Sequence, residues 1–173
     1  CRLIGQILAS LSLLTLWQVR RHPSQPLHHK EEHRAVVLCI HGFHMSGNCF
    51  YGVRQHLEQQ GFATFSVNLG RPYIDPGRYV ERLHRALQKA AGYSSSGKVH
   101  LVAHSMGGLV SRMLLERFKQ DANHISSITT LGTPHQGTAA VGDFSLPWLK
   151  TLFHPDSDML ARLGHFYQLA PHI

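Results

Sequence analysis

Residues 98–119 read K-V-H-L-V-A-H-S-M-G-G-L-V-S-R-M-L-L-E-R-F-K. The apolar run Val99 to Ala103 has the length and content of a buried strand. A turn of small residues follows, and Leu109, Val110, Met113, Leu114 and Phe118 then recur at helical spacing. Ser105 therefore stands at a strand-to-helix corner, with Ala103 two positions before it and Gly107 two after. This is the G-x-S-x-G elbow pattern with Ala in the first place. So sharp a corner leaves little room for flanking side chains, and it pushes the serine out above the sheet with strained dihedrals. The hydroxyl then lies at a helix start, where free N–H groups and the helix dipole stabilise a developing oxyanion. The same letters would also suit a glycine-bearing turn with an incidental serine. Strand before, helix after and a second glycine, Gly108, that lets the helix pack closely favour a nucleophile.

Outward from the elbow, the chain alternates strand and helix signals. Ala35 to Ile40 (A-V-V-L-C-I) is a continuous, partly β-branched apolar run and reads as a central strand. A helix is expected from about Cys49 to Gln60, a strand over Phe62–Val67, and a helix from about Arg78 to Ala91. After the elbow helix comes a strand over Ile125–Leu131, then the loop Gly132–Thr138, an apolar stretch over Ser145–Phe153 and a last helix expected over Ser157–Leu169. Strands alternating with helices across short turns predict an α/β fold, a parallel sheet with helices on both faces. There is no internal repeat.

A tetrahedral intermediate needs two converging N–H donors. One is expected from the residue after the nucleophile, Met106, and the other from the loop after an earlier strand. His41-Gly42-Phe43 follows the first strand at once, so Phe43 N–H is the expected second donor, with Gly42 letting the backbone approach the substrate. A His-Gly turn alone would mean little; paired with the elbow, in this chain order, it carries weight.

H-G-F, A-H-S-M-G-G-L and L-G-T-P-H-Q-G-T, in that order, resemble the α/β-hydrolase fold, and within it the bacterial triacylglycerol lipases and related esterases. The resemblance covers roughly residues 35–138 and implies Ser105 as nucleophile, with the N–H groups of Phe43 and Met106 as oxyanion hole. Alanine at position 103 departs from the general motif but is similar to a subset of such lipases. In some relatives the Pro134-His135-Gln136-Gly137 region helps bind metal, a role not carried over to His135.

The resemblance also implies an order of Ser, then acid, then His. After Ser105 the carboxylates are Glu116, Asp121, Asp143, Asp156 and Asp158, and the histidines are His124, His135, His154, His165 and His172. Asp158 or Asp156 with His172 are the best candidates, but each is better explained as an ordinary solvated side chain. No strand is evident after Leu131 to carry an acid or a histidine in the family's manner. The simpler expectation is that this sequence stops before both, leaving the fold incomplete at its C-terminus and this chain alone inactive.

Composition sets the outer limits. At 173 residues the chain is one domain with at most an appendage, and 43% hydrophobic against 16% charged residues marks it as globular. Seventeen Lys and Arg against ten Asp and Glu give +7, a balance that suits an anionic surface such as membrane lipid. Without aromatic–basic interleaving or a recognition motif, nucleic acid is not expected as a partner. The three cysteines have no metal spacing, Cys39 reads as a reduced core thiol, and a Cys39–Cys49 disulfide stays open. The fifteen histidines are scattered, so neither metal nor cofactor is expected.

The chain begins with Cys1 and so reads as a piece of a longer one. Residues 1–21 form an apolar N-terminal segment, uncharged from Leu3 to Val19 and followed by Arg20-Arg21. A membrane helix tail, an amphipathic anchor and a docked helix all suit it, a membrane anchor best. Residues 22–34 then form a linker, and residues 35–173 the folded domain. The function expected is a serine hydrolase acting on acyl-ester or lipid substrates, with Leu146–Phe153 as lid, acyl-chain wall or docked helix. A catalytically inactive binding domain, a thioesterase and an amidase are the alternatives.

Overall fold

The structure, a computed structural model, describes residues 35–70, 75–138, 147–170 and 173. The apolar N-terminal segment, the linker and His172 lie outside the described residues. Four parallel strands form one sheet in the order β2-β1-β3-β4: β1 (Val36–Ile40), β2 (Ala63–Val67), β3 (Val99–His104) and β4 (Ile125–Leu131). The apolar run of β1 is explained by its place: it is paired on both edges and every residue is buried.

Helices cover both faces, as the alternating pattern predicted. On one face Val36, Leu38, Ile40, Leu101 and Ala103 pack with Tyr79, Leu83 and Leu87 of α2 (Pro76–Ala91) and Leu109, Val110 and Leu114 of α3 (Met106–Arg117). On the other, Val37 and Cys39 form a smaller core with Phe50 and, partly buried, Leu57 of α1 (Tyr51–Gln59). Cys39 and Cys49 are free thiols, so the disulfide left open by the sequence is not formed. Burial pushes the Cys39 thiol up to about 12 and Cys49 up to about 11, which keeps both protonated and inert.

The helix starts are written locally. Asp75 accepts a hydrogen bond from Gly77 N–H and Pro76 fills the first position of α2, so that helix begins two residues before its expected start at Arg78. The last expected helix, Ser157–Leu169, is two short ones, α5 (Asp158–Arg162) and α6 (Phe166–Leu169). Ser157 caps the first through Leu160 N–H. The break at Leu163 and Gly164 has a physical reason, because both carbonyls accept from the guanidinium of Arg112 on α3 instead of continuing a helix. The helix α4 (Pro147–Phe153) is docked, with Leu152 and Phe153 buried in the main core.

Candidate active site at the β3–α3 corner

Ser105 has φ 50° and ψ −121° between the last residue of β3 and the first of α3. Among the described residues only His44 shares a positive φ without being glycine. Such backbone costs a side-chain-bearing residue about 1–3 kcal/mol and persists only where the surroundings over-determine it. Here they do. Ser105 N–H donates to Leu131 O at 2.9 Å, while Ser105 O accepts from Thr133 Oγ1 at 2.9 Å and from Gly108 N–H at 3.1 Å. The corner is thus clamped from the end of β4 and from the loop after it.

Two glycines make the corner sterically feasible. A Cβ on Gly107 would lie 2.4 Å from Ile40 O, so only glycine lets the start of α3 pass the end of β1. A Cβ on Gly42 would lie 3.0 Å from Ser105 Cβ, which places the His41-Gly42-Phe43 turn directly against the serine. Met106, buried, opens α3, and the first N–H groups of a helix have no intrahelical acceptor. Phe43 is half-buried against the main core, its ring edge-on to His44 at 4.4 Å.

One contributor had no assigned role in the sequence, His41. It is 2% exposed, its Nε2 accepts from Leu69 N–H at 3.1 Å, and its Nδ1 lies 2.8 Å from Gly42 O. Since Leu69 can only donate, Nε2 carries the lone pair and Nδ1 carries the proton, which it gives to Gly42 O. Burial lowers the pKa of His41 and so favours this neutral form. The ring ties the Gly42 turn to the segment after β2. Its only signal in the sequence was a histidine immediately before the glycine.

Neither acid candidate is bonded to this corner. Asp158 is exposed at the start of α5, and Asp156 is exposed with His154 Nδ1 3.8 Å from its carboxylate. No hydrogen bond or ion pair among the described residues joins either to Ser105, and His172 lies outside them. The buried Asp121 is taken up by His84 at 2.7 Å and Gln88 at 2.9 Å. A serine–histidine contact away from this corner, His100 Nδ1 to Ser127 Oγ at 2.8 Å, sits near the opposite ends of β3 and β4 and has no elbow. Among the described residues no group of three or more His, Cys, Asp or Glu could hold a metal ion.

The parallel sheet with helices on both faces agrees with the comparison to known families, in which the alpha/beta hydrolase fold matches residues 35–155. The chain belongs to that family. This α/β-hydrolase chain is 31% identical over 126 residues to a triacylglycerol lipase of Pseudarthrobacter phenanthrenivorans, covering 68% of the chain and 38% of the relative. It is equally identical to a triacylglycerol lipase of Burkholderia plantarii, of which it covers 34%. The chain therefore spans about a third of the length of these curated relatives. Among solved structures, the mature Bacillus licheniformis lipase BlEst2 shares the fold at TM-score 0.59 and 21% identity, over 86% of this chain and 64% of that one. The chain is lipase- and esterase-like in family and incomplete beside its relatives in length.

Proposed function

We propose that this α/β-hydrolase is a carboxylic-ester hydrolase of the lipase or esterase kind, with Ser105 as its nucleophile. The observation that carries this is the strained φ of Ser105 at a corner where strand, helix start and glycine turn converge. Ser105 Oγ attacks the ester carbonyl as a histidine base takes its proton, and the oxyanion is held by Met106 and Phe43 N–H. The protonated histidine gives that proton to the leaving alcohol, and the acyl-enzyme forms. Water, deprotonated by the same histidine, attacks the acyl carbon and restores Ser105 with release of the acid. The acid and base of this triad are to be sought in Asp158 and His172 and, with the relatives' greater length in mind, beyond Ile173. An acyl-ester or lipid substrate, and a membrane surface met through residues 3–19, complete the proposal.

The second reading, a catalytically inactive binding domain, is favoured by one fact: among the described residues nothing hydrogen-bonds to Ser105 Oγ. Labelling with a fluorophosphonate probe separates the two. A full-length form that carries the triad base should label and its Ser105→Ala variant should not, at any probe concentration that leaves other serines untouched. Equal labelling of both proteins would sink Ser105 as the nucleophile. Silence of a full-length form across p-nitrophenyl esters of several chain lengths, and across thioester and amide analogues, would favour the binding domain.

A further inference from the structure

A cavity of about 440 Å³ opens beside α3, lined among others by Arg112, His135, Leu160, Arg162, Leu163 and His165. Among the described residues no Asp or Glu lines it. Arg112 is 1% exposed, and its guanidinium donates to His135 O at 2.7 Å, Leu163 O at 2.6 Å and Gly164 O at 3.1 Å. All three partners are neutral carbonyls, and a guanidinium has five N–H donors, so two are not engaged by these bonds. A buried cation with no counter-charge is costly unless an anion joins it. Among the described residues, Glu116, Asp156 and Asp158 do not supply one, for all three are exposed and Asp156 faces His154. Burial, Arg112 and His165 together hold His135 below its ordinary pKa, as expected in an electropositive space.

The walls are not only charged. Leu160 and Leu163, each under 10% exposed, and Pro155 give the cavity an apolar side facing its cationic one. A bare phosphate would satisfy the charge and waste the apolar wall. We propose that this cavity binds an alkanoate, its carboxylate held between Arg112 and Arg162 and its short hydrocarbon chain laid along Leu160 and Leu163. The volume lies within the usual range for small-molecule sites. The site stands independently of the esterase proposal; if both hold, its ligand has the chemistry of the acid that ester hydrolysis releases.

The test is titration calorimetry on the full chain with octanoate below its micellar concentration, with neutral octanamide and with inorganic phosphate. Octanoate should bind saturably, and octanamide about tenfold more weakly or worse, because it cannot make charge-assisted hydrogen bonds. Arg162 is exposed, so Arg162→Gln is expected to fold, and it should weaken octanoate by about tenfold. Ser105→Ala should bind octanoate as the parent does, which keeps this result separate from that of the fluorophosphonate experiment. No saturable octanoate binding, octanamide binding equally well, or Arg162→Gln without effect would each overturn the proposal. Phosphate binding with octanoate silent would overturn it in favour of a simple oxyanion site, and loss of binding in Ser105→Ala would move the ligand to the elbow.

Discussion

At the scale of single residues, the corner holds opposed demands. Ser105 pays in backbone strain for a position above the sheet, and glycine at the same position would carry no such penalty. Ser105→Gly should therefore lose fluorophosphonate labelling yet gain about 1 kcal/mol, a melting temperature higher by about 2–4 °C in a chain of this size. A melting temperature below the parent's would mean that the backbone is unstrained. His41 sets a pH dependence. Its pKa is lowered in the fold from the ordinary 6.5, so the unfolded chain binds a proton that the folded one resists. The stability from its neutral form is present above about pH 6.5 and is lost as the pH falls through the depressed folded value. His44 and His135 are shifted the same way by burial and add to the same slope. In urea unfolding between pH 7 and 5, His41→Gln should show a shallower decline than the parent; an identical slope would remove His41 from the account.

At the scale of elements, the site is held by the ends of its strands and helices rather than by their middles. Thr133 Oγ1 reaches back to Ser105 O, and a Cβ on Gly108 would lie 2.3 Å from that hydroxyl, so the loop after β4 and the first turn of α3 are fitted to each other. The entry to α2 is similarly local, since the Asp75 carboxylate caps it, and the helix buries Tyr79, Val80, Leu83 and Leu87 in one face of the core. Asp75→Ala should cost about 1 kcal/mol in denaturant midpoint with an unchanged slope. A loss above twice that amount would show that Asp75 does more than cap.

At the scale of the whole molecule, Arg112 is the long-range tie. It stands seven residues after Ser105 and joins α3 to the loop after β4 and to the break between α5 and α6. Arg112→Ala leaves three carbonyls without their donor and opens a void, a loss of roughly 3 kcal/mol or more. The loss should be uneven. Hydrogen exchange should accelerate at the amides of α5 and α6, while those of β1 and β3 stay protected. Uniform loss of protection would mean that Arg112 holds the sheet as well as the helical end.

How much of this was legible in the sequence follows from the range of the forces involved. The parallel sheet, the elbow and the glycine turn were readable at Val36–Ile40, Val99–His104 and His41–Phe43, because apolar periodicity and glycine placement are set by neighbours a few residues apart. The start of α2 was missed by two residues because its cap, Asp75, precedes the apolar repeat from which the boundary was drawn. The split of the last helix, the role of His41 and the cationic cavity were not readable. Each depends on a partner far along the chain: Leu69 for His41, and Leu163, Gly164 and His135 for Arg112. The sequence by itself determined which residues form the sheet and where its sharpest corner falls. Only the tertiary structure decided which buried polar groups meet, since a hydrogen bond between distant residues leaves no local pattern for the sequence to show.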